Sequence, residues 1–163
     1  MVDNVILGIN ILLTIISAVG AYKSRRYFKK SRNLTVLVEV NKALVEIKKM
    51  MYKLPEVLEA VSKARRKVKG FSLQNSLCSI GTDLNNSLIE IISLLPFQYS
   101  QEFIALQRDD KFNLQEYINS LISGEIVLEN EIKLEGYNMC QEKLVLMHDS
   151  LKKQIAKTEE KIK

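Results

Sequence analysis

The chain has 163 residues, enough for about one domain, and carries a net charge of +5. Six Gly, two Pro, no Trp and 7% aromatic residues leave few chain breaks and favour an all-α fold over a sheet protein. Two cysteines, Cys78 and Cys140, without a CxxC pair, and a single histidine are too few for a zinc or disulfide framework, so no metal or cofactor is expected.

Charge is unevenly spread. Residues 1–69 hold 15 Lys+Arg against 5 Asp+Glu, a net +10, while residues 70–163 hold 9 against 14, a net −5. The first element begins with Val5 to Tyr22, eighteen residues without a charge. A membrane-spanning helix takes about 20 apolar residues, with a lower bound near 17. The positive cluster follows the run instead of preceding it: Lys23, Arg25, Arg26, Lys29, Lys30 and Arg32 lie within ten residues. That is a stop-transfer pattern rather than that of a cleaved signal peptide, and a buried soluble helix is the other alternative. It predicts a single-pass anchor over residues 1–33 with the N-terminus outside and residues 34–163 in the cytoplasm. The same six cations are candidate contacts for anionic headgroups.

Three polar side chains interrupt the apolar run. At about 100° per residue, Asp3, Asn10, Thr14, Ser17, Ala21 and Ser24 fall on one line. Lipid disfavours such a seam. Three readings stand. Ser and Thr bond back to their own helix, or the seam packs helix to helix in a homo-oligomer through small residues and interchain hydrogen bonds, or it lines a polar pore.

No Gly or Pro occurs between Ala21 and Leu54, so the anchor helix is expected to run on as one rod. Pro55 forces a kink or restart, and a short helix over Glu56–Val68 ends at Gly70. Its basic end, Lys63 to Lys69, reads as a solvated helix end or as a contact for RNA or headgroups. Leu73, Leu77, Ile80, Leu84, Leu88, Ile91 and Leu95 form a helical stripe that Pro96 stops, with Asn85 and Asn86 facing solvent. A short helix spans Phe97–Gln107, followed by a polar turn at Arg108–Lys111. Asn113 with Glu116 matches a capping pattern and starts a helix through Ile122. Gly124 and Gly136 are expected to interrupt the chain before a last helix through Leu144, Met147, Leu151 and Ile155. The sum is an anchor helix feeding a bundle of four or five helices.

His148 is the only histidine, so acid–base chemistry at neutral pH falls to it. Lys143, four residues and His148 make K-x4-H, which resembles a degenerate form of the R-x4-6-H motif of HEPN domains, helical bundles that often cleave RNA as dimers. The resemblance gives His148 a proton-transfer role and Lys143 a phosphate contact. Lys lacks the planar fork of Arg, and Leu144 stands where a polar residue often follows. By spacing alone, His148 is a surface residue beside Asp149.

The layout as a whole, one N-terminal span, a basic collar and a HEPN-like helical domain, is similar to the small membrane accessory proteins of type VI-B CRISPR systems. That resemblance implies a non-enzymatic effector of antiphage defence in the bacterial inner membrane. Its anchors form a homo-oligomeric pore, its partner is an RNA-guided nuclease complex or RNA, and no small-molecule substrate is expected. A membrane-tethered ribonuclease using His148 and Lys143, and an anchored scaffold, are the competing readings.

Overall fold

The computed structural model describes residues 2–125 and 134–162, with side chains from Leu13 in the first helix and from Gly136 in the last. Among them the protein is all-α: α1 (Val2–Lys53), α2 (Pro55–Arg65), α3 (Leu73–Leu94), α4 (Phe97–Leu106), α5 (Leu114–Ser123) and α6 (Leu134–Glu160). No strand occurs among the described residues; an isolated bridge joins Arg108 and Asn113.

The expected rod is present. α1 runs 52 residues without a break, about 78 Å at the usual rise. It stops where Pro55 lacks the N–H that would continue the ladder, and Pro55 then serves as the first residue of α2. α2 ends at Arg65, three residues short of the expected Val68. Lys67 and Gly70 have positive φ there and turn the chain back. Ser72 opens α3 by accepting a hydrogen bond from the Asn75 N–H.

The core is built from stripes at helical spacing. α3 buries Leu77, Ile80, Leu84, Leu88 and Ile91, with Leu95 just past its end. α1 contributes Val40, Ala43, Leu44, Ile47 and Met50, and α5 contributes Leu114, Ile118 and Leu121. On α6 the buried positions Tyr137, Cys140, Leu144, Met147, Leu151, Gln154 and Thr158 step alternately by three and four, a heptad seam facing the bundle. Each fully buried Leu or Ile contributes about 1.5–3 kcal/mol.

Polar ties fix the register. Glu46, buried on α1, pairs with Lys49 and accepts the Ser87 hydroxyl of α3 at 3.1 Å. Lys53 reaches Asp83 at 3.1 Å. As positions rise along α1 their partners fall along α3, so the two helices are antiparallel. Asn85 is only half-exposed and accepts from Gln115 of α5 at 2.8 Å, so it does not share the solvent-facing role expected for it; Asn86 does. Gly81 allows α3 and α5 to approach closely. A Cβ there would lie 2.8 Å from Ile122 Cγ1 and 3.1 Å from the Ile122 backbone nitrogen.

The two glycines expected to interrupt the chain behave differently. Gly124 ends α5 in the left-handed region, with φ 78° and its N–H bonded to the Ser120 carbonyl. Gly136 lies inside α6, where a Cβ would meet the Tyr117 ring at 3.2 Å, so it is a packing glycine and not a break.

Candidate functional site

The two regions singled out by the sequence differ in how the fold treats them. The first is the N-terminal half of α1. From Leu13 to Arg32 every residue is exposed. Leu13, Ile15, Ile16 and Val19 keep between 48% and 59% of their surface, which is what a helix leaves when only its own turns shade it. Tyr27 and Phe28 keep 72% and 71%. The seam residues Thr14, Ser17, Ala21 and Ser24 are exposed with them, whereas the Asn10 side chain lies outside the described residues. Among the described residues no helix is long and apolar enough to cross a membrane. The side chains of Val5 to Leu12, the first part of the uncharged run, lie outside that description.

The collar is presented whole. Lys23, Arg25, Arg26, Lys29, Lys30 and Arg32 are all exposed, and none forms an ion pair among the described residues. Four of them, Lys23, Arg26, Lys29 and Lys30, line a cleft of about 580 Å³ that is closed on its other side by Lys161 and Ile162 at the end of α6. Sequence reasoning found the four cations on α1. It missed Lys161, because the antiparallel return of α6 onto α1 is a long-range fact.

The second region is the K-x4-H pair on α6. Five positions on a helix turn about 140°, and the two side chains are engaged separately. Lys143 is buried, and its Nζ lies 2.8 Å from an Asp109 carboxylate oxygen in the turn between α4 and α5. Asp109 also accepts from the Lys111 and Phe112 N–H groups, at 2.9 Å each. The Lys143 hydrogen bond, with those two N–H groups, holds the Asp109 carboxyl below the usual carboxylate range. Lys143 is thus the clamp of a tight turn. His148 is mostly buried, its side chain 14% exposed, rather than the surface residue its spacing suggests, with Nδ1 3.2 Å from Asp149 on the neighbouring position. No hydrogen bond or ion pair joins it to Lys143 within the chain.

The remaining reactive groups point to packing. Burial pushes the Cys140 thiol up to about 12, which keeps it protonated and unreactive at neutral pH. Burial likewise raises the Tyr117 phenol. Among the described residues no cluster of three or more His, Cys, Asp or Glu could hold a metal ion.

Comparison with known families, curated proteins and solved structures finds no match to this chain.

Proposed function

We propose that this protein is a non-enzymatic membrane effector. The N-terminal part of α1 inserts into the inner membrane with its N-terminus outside, and the helical bundle faces the cytoplasm. Several copies bring their α1 seams together, and the seams line a pore whose opening depolarises the membrane in antiphage defence, with an RNA-guided nuclease complex or RNA as the activating partner.

One observation carries this reading: a continuous helix leaves its bundle and exposes twenty consecutive residues. Water opposes that arrangement, because exposed apolar surface costs about 25 cal/mol per Å². Of the twenty, Leu13 to Tyr22 are uncharged and Lys23 to Arg32 are the collar, and exposed apolar residues rimmed by polar ones mark membrane or protein contacts. The uncharged run is about 27 Å long at the usual helical rise, against about 30 Å of bilayer hydrocarbon, and the collar begins where headgroups would. Polar and small residues aligned on one face are disfavoured against lipid, and packing that face against other copies is the simplest arrangement, which supports a homo-oligomer.

The test is the mass of the detergent-extracted protein together with ion release from liposomes. A ring of chains that conducts when its partner is present supports the reading. A monomer removes the pore at once. Verified insertion and assembly with no flux in the activated state leaves the seam as a packing surface only. The ribonuclease alternative has its own arm. With Lys143 held by Asp109 and apart from His148, H148A is expected to leave RNA cleavage unchanged from the wild type. Metal-independent cleavage that H148A abolishes would put the enzymatic reading first.

A further inference from the structure

We infer that the cleft between the collar of α1 and the end of α6 is a headgroup site for one anionic phospholipid, binding its phosphodiester. The inference rests on the membrane reading above and adds a specific ligand to it.

Among the described residues the cleft brings together five cations: Lys23, Arg26, Lys29 and Lys30 from α1, and Lys161 just past the end of α6. Among the described residues no carboxylate lines it; Glu159 and Glu160 precede Lys161 but stand outside the lining. The C-terminal end of α6 brings about half a negative charge, far less than five positive ones. Tyr27 and Asn33 add a hydroxyl and an amide as neutral donors. The half-buried Ile162 supplies an apolar contact beside them. Cations, neutral donors and an apolar edge suit a phosphodiester attached to a glycerol.

Helix phase separates this site from the seam. At about 100° per residue, the lining positions of α1 centre about half a turn from the line of Asn10, Thr14, Ser17, Ala21 and Ser24. If the seam faces other copies, the cleft faces outward into the surrounding lipid. Arg25 and Arg32 belong to the same collar but do not line the cleft. They therefore separate a built site from diffuse attraction, in which each cation near the surface counts about equally.

The experiment uses the full chain in neutral detergent and follows its melting temperature as phosphatidylglycerol, phosphatidylcholine or inorganic phosphate is added. A ligand that binds only the folded state raises the midpoint. Phosphatidylglycerol is expected to raise it and phosphatidylcholine to leave it unchanged. R26Q/K30Q, both on the surface, is expected to weaken the apparent affinity by at least about tenfold, and R25Q/R32Q, with the same charge loss, by less than about threefold. K161Q, which leaves α1 untouched, should weaken it by about fivefold. Equal losses in the two double variants would overturn the site in favour of a diffuse collar. Equal stabilisation by inorganic phosphate would overturn the lipid as its occupant. Flotation with phosphatidylcholine vesicles reads the membrane reading separately: failure to float sinks the anchor, while a phosphatidylglycerol effect confined to the cleft variants would still stand.

Discussion

Between Val40 and Met50, α1 buries a residue at every third or fourth position; between Leu13 and Arg32 it buries none. The backbone is the same helix throughout, and both halves are rich in Ile, Leu and Val. What differs is the neighbour. Ile47 is fully buried in the bundle core, whereas Ile16 keeps 59% of its surface. Helix continuity is therefore a local property, set by the absence of Gly and Pro from 21 to 54, while burial is decided by what returns in space. α3 comes back onto the second half of α1, the end of α6 reaches the stretch from Lys23 to Asn33, and Leu13 to Tyr22 buries nothing against either. The apolar side chains from Leu13 to Val19 that stand off the core are what the proposed membrane reading rests on.

The sharpest way to break this comparison is to change the first half without touching the second. Replacing Asn10, Thr14 and Ser17 together with Leu makes the seam lipid-like. Under the pore reading the variant assembles and folds as before but loses its ion flux, because an apolar constriction closes by dewetting. Under helix packing alone, lost interchain hydrogen bonds cost about 0.6–2 kcal/mol each, and neither protein conducts. Dye release from liposomes by wild type and variant, with oligomer mass as control, distinguishes the two.

The next contrast is in stability. Leu88 is fully buried, so L88A is expected to destabilise the bundle by about 2–5 kcal/mol. I16A should change it by less than about 0.5 kcal/mol. Chemical denaturation in detergent, followed by circular dichroism, measures both. Similar losses would mean that the projecting half packs on the bundle after all.

A finer contrast uses two glycines within helices. Nothing lies within 4 Å of a Cβ built at Gly20, whereas one at Gly81 collides with Ile122. Ala is the better helix former by roughly 1 kcal/mol. G20A should therefore leave bundle stability unchanged or slightly raised. G81A must push α5 away from α3 and is expected to lose about 1 kcal/mol net. A stabilised G81A would show that the two helices separate without cost.

Local signals read well from the chain. The α3 stripe, the restart at Pro55, the stop at Pro96 and the Asn113 cap were all legible, because each depends on residues within one or two turns. Asn113 accepts from the Gln115 N–H and donates to Glu116, close to the expected pattern. Gly136 reads as a break in the sequence because its reason for being Gly, the Tyr117 ring, is nearly twenty positions away. The Lys143 ion pair is not legible in the chain for the same kind of reason; the phosphate contact that the HEPN resemblance implies for it belongs to the alternative ribonuclease reading. Its partner Asp109 sits in a turn whose sequence shows only polarity, and the clamp forms when α6 passes that turn. The collar was legible as charge; the cleft it makes with Lys161 was not.

The smallest expected effect concerns that clamp. Asp109 is half-exposed and its ion pair is partly screened, yet it also caps two backbone N–H groups, so it organises the turn as well as neutralising Lys143. Its carboxyl is held below the usual value, about 3.9 for a free aspartate. The stabilisation is therefore complete above that value and is lost as pH falls through the lower folded-state value. D109N keeps an oxygen for the two N–H groups but carries no charge at any pH. Its melting temperature should lie modestly below that of the wild type at pH 7, and the gap should close as the pH falls below about 3.9. The matching variant K143M removes the other partner and should close its gap over the same range, since both changes delete one pair. Melting curves of the three proteins from pH 7 to about 2.5 test this. A D109N gap that persists unchanged in acid would mean that the turn depends on hydrogen-bond geometry alone, and that Lys143 is free for another role.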